Sequence, residues 1–406
     1  MDNMFNYLPE MLTGSDLDNA LKILPDYDEK TKEKSTPERL IALQSIYKIF
    51  IPSQMSKEIY SKMYLSLLRS LQKKQSVQAI RQYSENSKMI RSQSYESIMG
   101  GSDSFTIIGE SGIGKSSSVS RAINVLSEAP VIDTEYSKII PCLQVQAPAD
   151  SSVKGLLLEI LRKIDEVLGT KHHENALRSH ATTDMLIGTV SQVALNHIGL
   201  LIVDEIQNVI NSKNGRTIVG TLTQLINNSG VSICMVGTPE CSAFFDSAMM
   251  LARRSLGLNY QAMDYGEEFR NFCKTLLGYC YVKTPFAIDE ETLLWLFNHS
   301  KGNISIVASL IHDAQEIAIL EGTERFDIPA LKIAYKKRLS MLHDYIPSQQ
   351  RIAACPKVKK TPLPPPQNNG KVRPSIFEIS QNAKKIQNNI VEALRHNEIE
   401  ILEVDL

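Results

Sequence analysis

The sequence lacks the marks of export, membrane insertion or a structural metal. Its six cysteines (Cys142, Cys234, Cys241, Cys273, Cys280 and Cys355) form no C-x-x-C pair and no cluster with histidine. Several sit in apolar runs, so reduced core thiols in a cytosolic protein are expected. No apolar run approaches the ~20 residues a membrane-spanning helix needs, which predicts no membrane partner. The start, Met1-Asp2-Asn3-Met4, has neither the basic residues nor the apolar stretch of a signal peptide. A net charge of −1 excludes a global field that draws the chain to nucleic acid, so any such contact must come from a local patch. The single tryptophan, Trp295, is expected in a core. What remains is a chain of 406 residues, 43% hydrophobic, enough for two or three globular domains.

Against this plain background one segment stands out. Gly109-Glu110-Ser111-Gly112-Ile113-Gly114-Lys115-Ser116 is a G-x-x-x-x-G-K-S phosphate-binding loop. Its glycines let the backbone turn tightly and bring N–H groups against phosphate oxygens. The helix that follows, including Ser117, starts at the anion and presents the positive end of its dipole. Lys115 reaches β- and γ-phosphates, and Ser116 binds Mg²⁺. Phe105-Thr106-Ile107-Ile108 reads as the buried strand that enters the loop.

Gly199-Leu200-Leu201-Ile202-Val203-Asp204-Glu205 reads as a second buried strand that delivers carboxylates at its C-terminal end, where parallel α/β sheets bind ligands. Asp204 is the expected acid near Mg²⁺, and Glu205 the expected base or water-orienting residue, which favours hydrolysis over passive binding. A third strand, Val231 to Val236, ends in Gly237-Thr238-Pro239 and places Thr238 beside the γ-phosphate.

Strands are expected at 104–108, 139–145, 199–204, 231–236 and 258–263, with helices at 115–127, 152–168, 184–197 and 215–228 between them. This alternation predicts an α/β fold with a mostly parallel sheet flanked by helices. Around it the chain divides into a polar N-terminal arm (1–36), an N-terminal helical region (37–101), the α/β nucleotide-binding core (102–264), a C-terminal helical lid (265–345), a Pro-rich linker (346–375) and a tail (376–406). The arm is acidic, either poorly ordered or partner-binding. The stretch from Lys57 to Arg91 is basic, which suits either phosphate contact or a solvated helix face. In the lid, Leu293 to Phe297 and then Ile304, Ile306, Val307, Leu310 and Ile311 read as apolar helix faces. The tail, with Ile386, Ile390, Val391 and Leu394 at helical spacing, is a partner-docking element or a disordered end.

Phosphate loop, acidic strand, polar strand end and helical lid form the layout of AAA+ ATPases. More narrowly, the chain resembles the TnsC/TniB family, ATPase regulators of bacterial DNA transposition. The residues that carry this likeness are the 109–116 loop, Leu201 to Asn208, Met235-Val236-Gly237-Thr238-Pro239-Glu240, Leu251-Ala252-Arg253-Arg254 and Lys301-Gly302-Asn303-Ile304. The resemblance implies a cytoplasmic bacterial ATPase that binds ATP and Mg²⁺ and assembles with itself on double-stranded DNA as a ring or helical filament. It implies partners too: a TniQ-like target selector and transposase subunits. ATP then lies between subunits, with Arg253, or alternatively Arg254, as the arginine finger. DNA contacts by resemblance fall on Lys154, with Thr170 and Lys171 as a second loop. The chain departs from the pattern where many AAA+ lids carry an arginine after the Gly-Asn pair. Ser305 and Ile306 stand there, and Lys301 would substitute only with a different geometry. Two other readings stay open: an AAA+ helicase or clamp loader or initiator, and a nucleotide-dependent signalling switch that ignores DNA.

Overall fold

Six strands form one sheet in the order β2-β3-β4-β5-β1-β6 in a computed structural model of the chain. The strands are β1 (Ser104–Gly109), β2 (Ile132–Asp133), β3 (Lys138–Gln146), β4 (Ile198–Asp204), β5 (Ser232–Gly237) and β6 (Ser255–Tyr260). The structure describes residues 8–75, 104–127, 129–133, 137–150, 152–210, 215–241, 255–284 and 288–340. These belong to one compact unit, Met1–Gln349; the second unit, Gln350–Leu406, lies outside the described residues, and with it most of the expected linker and the whole tail.

All neighbouring strands are parallel except β2, which pairs antiparallel with β3. The chain leaves β1, crosses to β3, returns through β4 and β5, and adds β6 on the far side of β1. That reversal opens a crevice beyond the C-terminal ends of β1, β4 and β5. Strands β1, β4 and β5 are buried at every position, as strands covered on both faces must be.

One face of the sheet is covered by α5 (Val153–Leu168), α7 (Thr183–His197) and α9 (Gly215–Ser229). In α5 the buried residues are Leu156, Leu157, Ile160, Leu161 and Ile164, a stripe at helical spacing worth roughly 1.5–3 kcal/mol per side chain. The opposite face carries α4 (Lys115–Leu126) and α3 (Gln54–Gln75), whose Ile59, Tyr60, Met63, Leu67 and Leu71 are buried. Two short helices, α6 (His172–Arg178) and α8 (Gln207–Ile210), and β2 are elements that the sequence pattern did not announce. Strand β6 begins and ends three residues earlier than the expected 258–263.

The lid is a separate apolar core built by α10 (Glu267–Gly278), α11 (Glu290–Ser300), α12 (Ile304–Leu320) and α13 (Ile328–Arg338). Aspartates at 289 and 327 and Asn303 cap three of these helices. The run Leu293 to Phe297 does not form a single apolar face: at about 100° per residue Leu293 and Leu296 turn inward while Leu294 is exposed. Trp295 is partly buried and stacks on His299, as a core residue would.

The N-terminal segment, expected as an acidic arm, is integrated into the fold from residue 8 onward. Helix α1 (Gly14–Leu21) buries Leu17 and Leu21 on the α3–α4 side. Next comes α2 (Thr36–Leu43), opened by a Ser35–Glu38 capping box. Its Leu43 joins the lid core, together with Ile46. Arg39 is buried in a bidentate pair with Glu324, both bonds 2.7 Å. The Tyr27 hydroxyl donates to the Cys280 carbonyl at 2.6 Å, and Tyr279 donates to the Pro25 carbonyl at 2.8 Å. The acidic composition concealed a few well-placed apolar anchors.

The basic stretch is likewise partly internal. Lys57 pairs with Asp18 at 3.0 Å, and the Lys62 ammonium sits 5.7 Å from the Phe105 ring centroid. Lys74 donates to the carbonyls of Ala194 and Leu195 at the end of α7, and burial pulls its pKa down to about 7. Arg81, Lys88 and Arg91 lie outside the described residues. Among the described residues no helix is long and apolar enough to cross a membrane. Among the described residues the cysteines at 142, 234, 241, 273 and 280 form no disulfide, and Cys355 lies outside the described residues.

Candidate functional site

The crevice beyond β1, β4 and β5 is a cavity of about 340 Å³ that gathers the three sequence motifs. Lys115, Ser116, Asp204, Glu205, Gly237 and Thr238 all line it. The phosphate loop follows β1 directly. Gly112 and Gly114 have φ values of +82° and +93°, in the left-handed region that side chains resist. Gly114 opens α4, so the free N–H groups of that helix's first turn point at the cavity. Gly109 has no room for a side chain: a Cβ there would lie 2.6 Å from the Tyr260 carbonyl oxygen. Glu110 and Ser111 are exposed, Ile113 is buried as the apolar anchor of the loop, and Ser116 and Ser117 are exposed on the first turn.

Lys115 is buried, and its Nζ donates to the carbonyls of Gly109 and Glu110, both at 2.7 Å. Burial lowers its pKa, and the negative charges of Asp204 and Glu205 oppose that fall. The ammonium is thus held across the loop, facing two carboxylates.

Asp204 is 4% exposed at the last position of β4. Its Oδ1 accepts the Glu205 N–H at 2.8 Å, and its Oδ2 accepts from Gln144 Nε2 at 3.4 Å. Glu205 has φ +56°, a left-handed conformation that costs a glutamate about 1–3 kcal/mol. Neighbouring bonds hold it there. Ile206 N–H donates to the Val236 carbonyl at 3.0 Å, Asn208 N–H donates to the Glu205 carbonyl at 3.0 Å, and Asn208 Nδ2 donates to the Ala147 carbonyl at 3.2 Å. The Gln207 amide Nε2 donates to Glu205 Oε2. Gln207 Oε1 and Thr238 Oγ1 are both buried without a hydrogen-bond partner, although Thr238 lies beside the Cys241 thiol. Buried oxygens left unmatched at a strand end next to a phosphate loop fit a site whose remaining partner is a ligand or its water.

The other end of the cavity is apolar and was not foreseen. Ile46, Ile49, Ile51 and Met55 from the segment after α2 meet Phe272 and Leu276 of α10 and Ile304 and Ala308 of α12. The sequence signal for this wall is weak, because aliphatic residues in three distant segments look like any core. Gln207 was also missed; it sits two residues beyond Glu205 with nothing to set it apart from other polar residues at a strand end.

The remaining expected site residues fall elsewhere. Lys154 is exposed in the first turn of α5, which follows β3 and is capped by the Ser152 hydroxyl accepting from Gly155 N–H at 3.0 Å. Thr170 and Lys171 follow the other end of α5, so the two loops are separated by a 16-residue helix, about 24 Å long. The Thr170 hydroxyl is engaged at 2.5 Å by Asp165, which also accepts the backbone N–H groups of His172 and His173; Lys171 is exposed. Arg253 and Arg254 lie outside the described residues.

Residues 98–245 match the model of the AAA domain family. The match spans most of the α/β core and well under half of the chain. No curated protein matches the sequence. Among solved structures, the chain is similar to the Aeropyrum pernix ORC1 protein in complex with DNA, with 13% identity and a TM-score of 0.44. That alignment covers 64% of this chain and 63% of that one, so this chain spans a little under two-thirds of the ORC1 length. Drosophila ORC bound to DNA is similar with 12% identity over 97% of this chain and 85% of that one, at a TM-score of 0.46. Domain III of the Thermotoga maritima replication initiation protein DnaA is similar with 14% identity over 67% and 94%, at 0.38. At these scores the likenesses carry no information on substrate or partner.

Proposed function

We propose that the chain is an ATPase that assembles on double-stranded DNA in an ATP-dependent manner and regulates transposition, linking a TniQ-like target selector to transposase subunits. The observation that carries the ATPase part is the convergence of Lys115, Asp204, Glu205 and Thr238 on one cavity at the switch point of an AAA domain. The apolar wall at 46–55 and in the lid suits a nucleoside, and the loop end suits its phosphates.

A serine hydroxyl and a buried carboxylate are the hard oxygen donors that Mg²⁺ takes, so Ser116 and Asp204 would hold it, and the ion would offset charge on the β- and γ-phosphate oxygens. Lys115 exchanges its loop carbonyls for phosphate oxygens. Thr238 donates its unmatched hydroxyl toward the γ-phosphate. Glu205 takes the proton of the attacking water as that water's oxygen bonds to the γ-phosphorus and the bond to the β-phosphate oxygen breaks, releasing ADP and inorganic phosphate. Arg253 or Arg254 of a neighbouring copy completes the site, and Lys154, with Thr170 and Lys171, meets the DNA backbone once per subunit. Repetition around the duplex is what lets a nearly neutral subunit hold DNA. The transposition role itself is supported by the motif resemblance, through the Val236-Gly237-Thr238-Pro239-Glu240 segment and the lid.

The test is a band-shift and sizing experiment on the full chain with random duplex DNA. A non-hydrolysable ATP analogue is expected to produce large assemblies on the duplex, and Glu205→Gln is expected to do the same with ATP itself, with turnover reduced about 10²–10⁴-fold. A chain that stays monomeric when saturated with nucleotide and duplex sinks the proposal. Binding of nucleotide without any shift favours a signalling switch, and capture of replication proteins in place of transposase favours a loader or initiator.

A further inference from the structure

The lid has no arginine where it meets the phosphate loop, yet it touches the loop at backbone level. Asn303, the cap of α12, donates from Nδ2 to the Ser111 carbonyl at 2.8 Å, while its Oδ1 accepts the N–H groups of Ser305 and Ile306 at 3.1 and 3.3 Å. The Ser305 N–H donates to the Gly112 carbonyl at 3.1 Å. Space on the loop is reserved for this contact. A Cβ on Gly112 would fall 2.7 Å from Asn303 Oδ1, and one on Gly114 would fall 2.9 Å from Ile304 Cδ1. The 301–303 turn is pinned in its own right: Met263 N–H donates to the Gly302 carbonyl at 3.1 Å, and Gly302, at φ +78°, has no room for a side chain against the Met263 carbonyl.

From this geometry we infer that Asn303 is a positioning residue that couples the lid to the conformation of the phosphate loop. The loop's amides turn toward the ligand, and two of its carbonyls, at Ser111 and Gly112, are held by the lid. A shift of the loop on binding phosphate moves those carbonyls and with them the first turn of α12, whose Ile304 and Ala308 wall the nucleoside end of the same cavity. Lid closure and phosphate binding thus become one event without a charged side chain that spans the gap. The inference rests on the nucleotide reading above.

The two jobs of Asn303 can be separated by substitution. Asn303→Asp keeps an acceptor for the α12 cap but replaces the Nδ2 donor with an oxygen that repels the Ser111 carbonyl. Asn303→Ser also caps a helix well and is too short to reach. Hydrogen exchange over Ile304–Leu320 and titration with a fluorescent ATP analogue are the readouts, on the full chain. In the wild type the analogue is expected to slow exchange in the first turn of α12. In both variants exchange there is expected to rise without nucleotide, the analogue to bind about tenfold more weakly, and its protection of α12 to vanish. Variants that bind as tightly as wild type and protect α12 equally overturn the inference. A wild type that itself fails to bind the analogue removes the nucleotide reading and the latch with it, a result told apart because the unsubstituted chain fails too.

Discussion

The two ends of the cavity are built on opposite principles. The phosphate end is made of backbone groups and a few charges from three short contiguous segments, at 109–116, 204–205 and 237–238. The nucleoside end is made of aliphatic and aromatic surface from three segments, 46–55, 272–276 and 304–308, the first more than two hundred residues from the other two. A phosphate needs donors at fixed positions, so the local chain geometry that supplies them is fixed as well. A base needs a dry wall of the right shape, which many sequences provide. The consequence is mechanical. The phosphate end is rooted in the sheet, whereas the nucleoside end is rooted in the lid core, where Leu43 and Ile46 are buried with Phe272 and Leu276.

The sharpest way to break this comparison is to attack each end and probe with inorganic triphosphate, which has phosphates and no nucleoside. Lys115→Ala removes the ammonium that faces Asp204 and Glu205, and is expected to weaken both ATP and inorganic triphosphate by about a hundredfold, the scale of a lost charge-assisted hydrogen bond. ATP-dependent DNA retention is expected to disappear with it. Ala308→Phe fills the nucleoside end from the lid side. It is expected to weaken ATP by about tenfold, in line with the cost of overpacking, and to leave inorganic triphosphate unaffected. Competition titration reads both. Equal losses for the two ligands in Ala308→Phe would show that the ends do not act separately.

The same division explains what could be read from the chain alone. The strands and helices of the core were legible because parallel strands buried on both faces leave unbroken apolar runs, as in Leu200 to Val203, and because the 109–116 loop punctuates them. The N-terminal segment was not, since its acidic residues outnumber the anchors Leu17, Leu21 and Arg39 that tie it down, and Arg39 finds Glu324 at a separation no local pattern reveals. Helix α6 is short and buries no side chain, so it has no stripe to read. In the site, Lys115, Asp204, Glu205 and Thr238 were legible as motif positions. Asn303 carried a signal too, an asparagine before an apolar helix, but that signal speaks of a cap and is silent on the second partner, Ser111.

Gln207 offers the finest test, because it lines the phosphate end and its amide reaches Glu205. Its amide holds one oxygen of Glu205 while its own Oε1 goes unmatched beside Gly237, whose missing side chain makes the room: a Cβ there would lie 3.2 Å from Oε1. A group that leaves its own acceptor unsatisfied to orient a strained neighbour contributes to aim more than to stability. Gln207→Met keeps the length and volume and removes donor and acceptor together. Turnover is expected to fall about tenfold with ATP affinity unchanged, and the substitution is expected to have no further effect once Glu205 is already Gln. That non-additivity, measured by single-turnover hydrolysis in the four combinations, distinguishes orientation of Glu205 from a general loss of packing, which would lower the rate by the same factor in either background. An increase in turnover would mean that the amide restrains the glutamate away from the water, and the phosphate end would then be only half as preorganised as its motifs imply.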